Sequence, residues 1–479
     1  MNTKVSKAVA PILVAVACYL MPTPEGLSPS AWLYVSIFLG VVVGLILEPI
    51  PGAFMGLLGV VVACALKVGP RMAADGTVSA GGALSWALSG FSNNVAWLVL
   101  IAFHFAYGYA KTGLGRRVAL ILVKHLGKTS LGLGYAIILS DALLAPFMPS
   151  NTARSGGTIY PIFANIPPLF DSGPDKEPRK LGSYLAWVAF AGTCITSSMF
   201  LTGMATNLLF VGMASGAGYA TISWGQWFMA FLPVGILLIL TTPLLTYLIY
   251  PPALKRSEES PRWAAAELDK MGPISLGEKK MLGIAFAAIF LWIGAGYFKI
   301  DATATGLVAL CLMLLSGVAS WDEIVSNKNA WNAFIWFGAL ITLATGLSNT
   351  GFLAWFAKNT ATFLGQGDPL FLLVALVVAF YALHYFFASV AAHVTALLPL
   401  FLATAAAIPG MDMSLFVLVT ALSIGIMGVI TPYGTGPAPV WASCGYIKPA
   451  AFWGLGFVFG SYFLIVFLSV GLPWISLIM

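Results

Sequence analysis

Between two apolar runs, 130–145 and 158–170, the chain reads Pro146-Phe-Met-Pro-Ser-Asn-Thr-Ala-Arg-Ser-Gly-Gly157, and each run alone is too short to cross a bilayer. Lipid tolerates irregular backbone only where protein or a water-filled cavity surrounds it. The stretch therefore predicts the tip of a re-entrant hairpin at a binding site. Pro146 and Pro149 remove backbone donors and stop the first arm, and Ser150, Asn151 and Thr152 are good N-cap types for the second. A fresh helix N-terminus at membrane depth, with Arg154 one turn in, predicts an anion site. A charge there costs at least ~2.5 kcal/mol, which argues against a chance arginine.

The rest of the chain places this hairpin in a membrane. Of 479 residues, 59% are hydrophobic and 8% charged, against roughly 25% charged in soluble domains. That composition predicts a polytopic membrane protein and excludes the soluble enzymes. Cys18, Cys64, Cys194, Cys311 and Cys444 are odd in number, widely spaced and set in apolar runs, with neither a metal pattern nor a disulfide framework. The net charge of +6 comes from basic residues in loops between spans, which is topology and not nucleic-acid recognition.

An all-α architecture of about 11 transmembrane helices follows. Residues 1–29 give one extra span and 30–250 a first repeat containing hairpin 130–170. Residues 251–280 form a polar cytoplasmic connector, and 281–479 a second repeat containing hairpin 369–408. Basic 114–128 and residues 352–365 read as surface helices, and 202–207 and 431–439 as broken helix centres. Thr112-Gly113 recurs as Thr350-Gly351 and Pro161 as Pro399, a shift of 238; Ser150 recurs as Ser389. An odd number of crossings per repeat predicts inverted copies meeting at the midplane, a secondary-transporter plan. With the N-terminus in the cytoplasm, only Lys67, Arg71, Lys299 and Lys358 fall outside, apart from Arg154 in the hairpin.

Superposing the repeats puts Arg154 over His393, so two basic side chains are expected to flank one cavity. Arg offers a fork matched to a carboxylate, and His a donor or a titratable charge. Thr206, Asn207, Thr435 and the backbone around Gly436 add donors. The expected ligand is a small anion with carboxylates at both ends, with phosphate and sulfate left open. His104 and His384 read as hydrogen-bonded structural residues. Asp141 lies roughly 14 Å along the helix from Ser150 and reads as a counter-ion to a buried cation. Neither paired carboxylates nor a metal-spaced His cluster appears, so no catalytic site, metal or cofactor is expected.

These motifs resemble the divalent anion–sodium symporter family over nearly the whole length, and most closely its exchanger branch of bacterial and plastid dicarboxylate antiporters. Ser150-Asn151-Thr152 matches the family's hairpin-tip signature and Thr206-Asn207 its helix break. The resemblance implies a homodimer with an elevator-like core in a cytoplasmic membrane, Ser150, Asn151, Thr152 and Ser389 contacting carboxylates, and Arg154 and His393 supplying fixed positive charge. Sodium-coupled members carry Ser-Asn-Thr at both tips. Here the second reads Ser389-Val390-Ala391, lacking side-chain oxygens for an ion, which implies sodium-independent, electroneutral exchange. The alternatives are a sodium-coupled symporter of the same substrates, an anion channel and a membrane-embedded enzyme. Arg154 is further expected to travel as an unpaired cation when the carrier is empty, and its loss to leave the fold intact.

Overall fold

In the computed structural model, the residues described are 3–72, 77–364 and 367–479. Residues 1 and 2 of the expected N-terminal span and residue 365 of the second surface helix lie outside them. Among the described residues the chain is helical, without a β-strand. Eight helices among the described residues are long and apolar enough to cross a membrane, and four shorter apolar helices accompany them. Large side chains such as Leu240, Phe286, Phe290, Phe457 and Ile465 stand exposed, as lipid contact permits. Helix starts follow side-chain chemistry: Ser223–Gln226, Ser275–Glu278 and Ser320–Glu323 each form a reciprocal capping box.

The element order runs twice. Asn94–Thr112, Leu114–Leu126 and Ser130–Leu144 are followed later by Lys328–Asn349, Phe352–Leu364 and Pro369–Leu383. The two surface helices have 13 residues each and the two first arms 15 each. The compact units cut across this repeat. The first comprises 1–100, 208–222 and 328–421, and the second 101–207, 223–327 and 422–479. The packed units therefore do not follow the order of the chain, because helices distant in sequence share each core.

The first unit is organised on Lys328–Asn349, which packs against Gly52–Ala65 and Ala80–Ser89. The approach is close enough that a Cβ on Gly90 would lie 2.0 Å from the Gly338 carbonyl oxygen, while Gly90 N donates to Thr342 Oγ1 at 3.0 Å. Ala80–Ser89 was not anticipated: its ten residues, with two glycines, are too short and too small to read as a span. Tyr34 donates to the Leu343 carbonyl at 2.6 Å.

The second unit is organised on Gly182–Met199, all 18 residues of which are buried. It packs against Ser130–Leu144 and Trp224–Ile249. The connector is more ordered than a loop: it holds the helix Glu259–Met271, laid along Leu114–Leu126. Arg117 binds Glu278 at 2.5 Å and the Gly272 carbonyl at 3.0 Å, and Arg116 pairs with Glu267 at 2.7 Å. Ser257 and Ser130 knit the strap to the hairpin's entry through Gly127 O and Leu254 O. On the loop helix Trp321–Ser326, Glu323 accepts from Lys111 at 2.7 Å and from Tyr107 at 2.7 Å.

Those hydrogen bonds, Lys111 first, with the Ser320 backbone and Tyr107, hold the Glu323 carboxyl at about 2. A depressed carboxylate contributes stability fully above its ordinary value and loses it as pH falls through the folded value. The melting-temperature gap between the native chain and Glu323→Gln in detergent is expected to be constant above about pH 5 and to close as pH falls from about 4.5 toward 2. A gap unchanged across that range would contradict the assignment.

Candidate functional site

The first hairpin is built around an accounting problem: breaking helices at membrane depth leaves carbonyls without helical donors. Ser130–Leu144 runs into the 3-10 turn Ala145–Phe147, and the chain is irregular from Met148 until it turns helical again at Asn151. Three carbonyls here find donors elsewhere in the second unit. Pro146 O accepts from Thr202 Oγ1 at 2.5 Å, Met148 O from Arg154 Nη1 at 2.7 Å, and Pro149 O from Ala205 N at 2.6 Å. The tip is thereby fastened to the break at Leu201–Gly203. That break is served in turn by Asn207, whose Nδ2 donates to Ser197 O at 2.7 Å and Phe200 O at 2.9 Å.

Arg154 holds the centre of this arrangement. Its side chain is 0% exposed. Nε donates to Asp141 Oδ2 at 3.0 Å, and Nη1 reaches Gly203 O at 2.6 Å as well as Met148 O. Nη2 faces Thr193 Oγ1, Thr196 Oγ1 and Ser197 Oγ at 3.5, 3.2 and 3.3 Å. All five N–H groups are turned onto protein oxygens. Thr196 also makes a short hydrogen bond to Asp141 Oδ2. The guanidinium expected to meet a substrate carboxylate is held by the protein's own oxygens in this structure. It faces inward, with Asp141 as its acidic partner.

The groups left at the accessible side of the tip are uncharged. Thr152 and Gly436 are exposed and Ser150 is half-buried, while Asn151, Thr206 and Thr435 show only edges. Ser150 Oγ accepts from Ala153 N at 3.2 Å, the N-cap pattern. Asn151 Nδ2 donates to Thr435 Oγ1 at 3.0 Å, tying the tip to the break at 431–437. A Cβ on Gly436 would fall 1.9 Å from Thr152 Oγ1, so that backbone lies directly against the tip. Two helix N-termini meet at this place: the returning arm, which opens as the π-helix Thr152–Ile159, and Ala205–Gly216. Helix N-termini and hydroxyl groups thus gather at one place, the arrangement of dipoles and neutral donors that favours negative charge.

The second hairpin belongs to the first unit. Ser389 starts the helix Val390–Ala406 and lines a cavity of about 180 Å³ with Glu48, Asn332 and Trp336. His393 is fully buried, boxed edge-to-face by Phe380 at 4.4 Å, Phe387 at 4.9 Å and His384 at 5.1 Å. Neither of its ring nitrogens has a hydrogen-bond partner among the described residues. The expectation that His393 presents a charge to an anion meets an aromatic enclosure instead.

Sequence reasoning missed Thr193, Thr196 and Ser197. Their spacing of i, i+3 and i+4 in an otherwise apolar helix was the available signal, since it places three hydroxyls on one face.

The fold defines a polytopic helical membrane protein with interrupted helices packed together in its second unit. The family described as "Sodium:sulfate symporter transmembrane region" matches residues 2–479, and the chain belongs to it. It is 47% identical to the L-tartrate/succinate antiporters of Escherichia coli (strain K12) and Shigella sonnei, over 100% of this chain and 99% of each relative. Among solved structures, the Alcanivorax borkumensis YdaH transporter shares the fold at TM-score 0.57 and 13% identity, covering 94% of this chain and 98% of that one. Neisseria gonorrhoeae MtrF does so at 0.57 and 15%, covering 88% and 94%.

Removing one member of a buried pair costs about 3–5 kcal/mol, because the other is left as an uncompensated charge. Arg154→Ala is therefore expected to destabilise the folded chain. The double variant Arg154→Met with Asp141→Leu is expected to recover part of the loss, as measured by thermal unfolding in detergent. Equal melting temperatures for Arg154→Ala and the native chain would show that the pair does not hold the hairpin.

Proposed function

We propose that this chain is a sodium-independent antiporter exchanging dicarboxylates one for one, with L-tartrate and succinate as the leading substrates. Identity of 47% with L-tartrate/succinate antiporters over the full length supports the substrate class. The observation that carries the mechanism is the cage around Arg154: one carboxylate oxygen, two backbone carbonyls and three hydroxyls. Hard oxygen ligands of this kind suit a small metal cation. Here they are occupied by a cation tethered to the chain, which cannot dissociate on either side of the membrane. Ion release is thus unavailable as a driving step, and the counter-substrate takes its place.

The substrate's carboxylates would be held by Ser150, Asn151, Thr152, Thr206, Thr435 and the backbone at Gly436, in the field of the two helix N-termini. Asn207 and Arg154 act as positioning residues that keep this rim in place. Each N-terminus carries about half an elementary positive charge. Since the Arg154–Asp141 pair is neutral, an empty site retains that positive potential, and a dianion compensates it. Moving the empty site past apolar surroundings is therefore slower than moving the loaded one. Exchange of equally charged anions moves no net charge whatever the fixed charges are. The distribution of Lys and Arg supports a cytoplasmic N-terminus in a cytoplasmic membrane, and the family resemblance supports a homodimer.

Labelled succinate uptake into proteoliposomes tests the proposal. Uptake is expected to be about tenfold or more faster with internal tartrate or succinate than into substrate-free vesicles, each tenfold being about 1.4 kcal/mol of barrier. Sodium and choline buffers are expected to give the same rates. Sodium-driven accumulation into substrate-free vesicles would establish the symporter instead.

A further inference from the structure

We propose a second anion-binding site behind the first hairpin, separate from the transport site, that takes a phosphate or carboxylate group. A cavity of about 390 Å³ lies between the surface helix Leu114–Leu126, the returning arm of the hairpin and the connector helix Glu259–Met271. Its walls include Tyr109, Arg116, Met148, Gly157, Thr158 and Trp263. Together these supply charge, neutral donors and an aromatic side.

The charge comes from Arg116. Its Nη2 contacts Glu267 at 2.7 Å, but Glu267 also binds Lys270 at 2.7 Å, so the three groups carry one net positive charge. The Arg116 side chain remains 56% exposed. Glu267 itself is not among the cavity's walls, so the arginine and not the carboxylate meets an occupant. The surface helix begins at the left-handed Gly113, φ 78°, without a side-chain cap, which leaves its positive end at the same wall.

The second, independent observation is Tyr109. It is only 4% exposed, and its hydroxyl makes no hydrogen bond to any described residue. Its ring is stacked on Phe147 at 5.1 Å, which fixes the phenol at the cavity wall. With no described residue accepting from it, that hydroxyl is free to donate at the cavity wall, and an oxyanion in the cavity would be its acceptor. Space is available, since nothing lies within 4 Å of a Cβ built on Gly157. The occupant would also bear on the transport machinery. Met148 forms part of this wall, and its carbonyl is the one that receives Arg154 Nη1.

Two sources carry this chemistry: the headgroup of an anionic lipid, reached along the membrane-surface helix, and a free anion from solution. Binding of radiolabelled inorganic phosphate to the full chain in phosphatidylcholine nanodiscs tests the site directly. Saturable binding that excess succinate does not displace is expected. Arg116→Gln is expected to weaken it about tenfold or more, a lost charge-assisted hydrogen bond. Tyr109→Phe, which keeps the ring stack, is expected to weaken it several-fold, and Arg116→Lys to restore part of it. All three variants are expected to bind succinate as the native chain does, which also shows that they fold. In phosphatidylglycerol nanodiscs, loss of phosphate binding assigns the site to a lipid headgroup, and persistence assigns it to a soluble anion. Absence of saturable binding overturns the proposal. So does binding that succinate displaces and Arg116→Gln leaves unchanged, because the phosphate then sits in the transport site. Failure of succinate itself to bind would count against the antiporter reading and leave the phosphate titration interpretable.

Discussion

The second unit depends on satisfying backbone carbonyls that broken helices expose where no water can serve them. Each interruption that creates a binding surface also strands polar groups, at a cost of several kcal/mol apiece in hydrocarbon. Arg154 resolves this at the tip. One guanidinium serves Met148 O at the end of the first arm and Gly203 O in the neighbouring break. Asn207, Thr202 and Ala205 complete the work at Ser197, Phe200, Pro146 and Pro149. A second cost then arises, a buried positive charge, and Asp141 offsets it.

That solution shapes the binding chemistry. In the function proposed above, with the arginine saturated, recognition of an anion falls to helix N-termini, hydroxyls and the close-lying backbone at Gly436. Such a rim neutralises an anion without holding a free counter-charge of its own. It suits a carrier that must release its substrate as readily as it takes it. The tethered cation also separates this chain's chemistry from the ion-coupled name of the family to which it belongs, and agrees with its 47% identity to L-tartrate/succinate antiporters.

Several basic residues have a structural part as well. Lys111, Arg116 and Arg117 each hold an acid from a segment distant in sequence. Together they strap the connector helix and the loop helix Trp321–Ser326 onto the elements beside the hairpin. Of these pairs, Arg117 with Glu278 is the buried one, at 10% and 1% side-chain exposure. It is the pair whose disruption would leave an uncompensated charge, whereas the Arg116–Glu267 pair, with Arg116 56% exposed, contributes little by itself.

The sequence by itself determined the class of fold, an all-helical membrane protein, and it singled out the stretch where the helices break. Apolar run length, proline placement and the cost of a buried charge are local or nearly local properties, and Pro146–Gly157 displays all of them. It also determined that Asp141 was a counter-ion candidate, because a buried guanidinium requires one. Only the tertiary structure decided which way Arg154 points. That choice depends on Thr193, Thr196 and Ser197 of Gly182–Met199, about forty residues away along the chain, and on the Gly203 carbonyl. The same holds for His393. A repeat offset places it opposite an arginine on paper, whereas Phe380, Phe387 and His384 enclose it in space. Periodicity reports which face a side chain occupies, but its partners are set by how separate helices pack, and no spacing within one stretch encodes that.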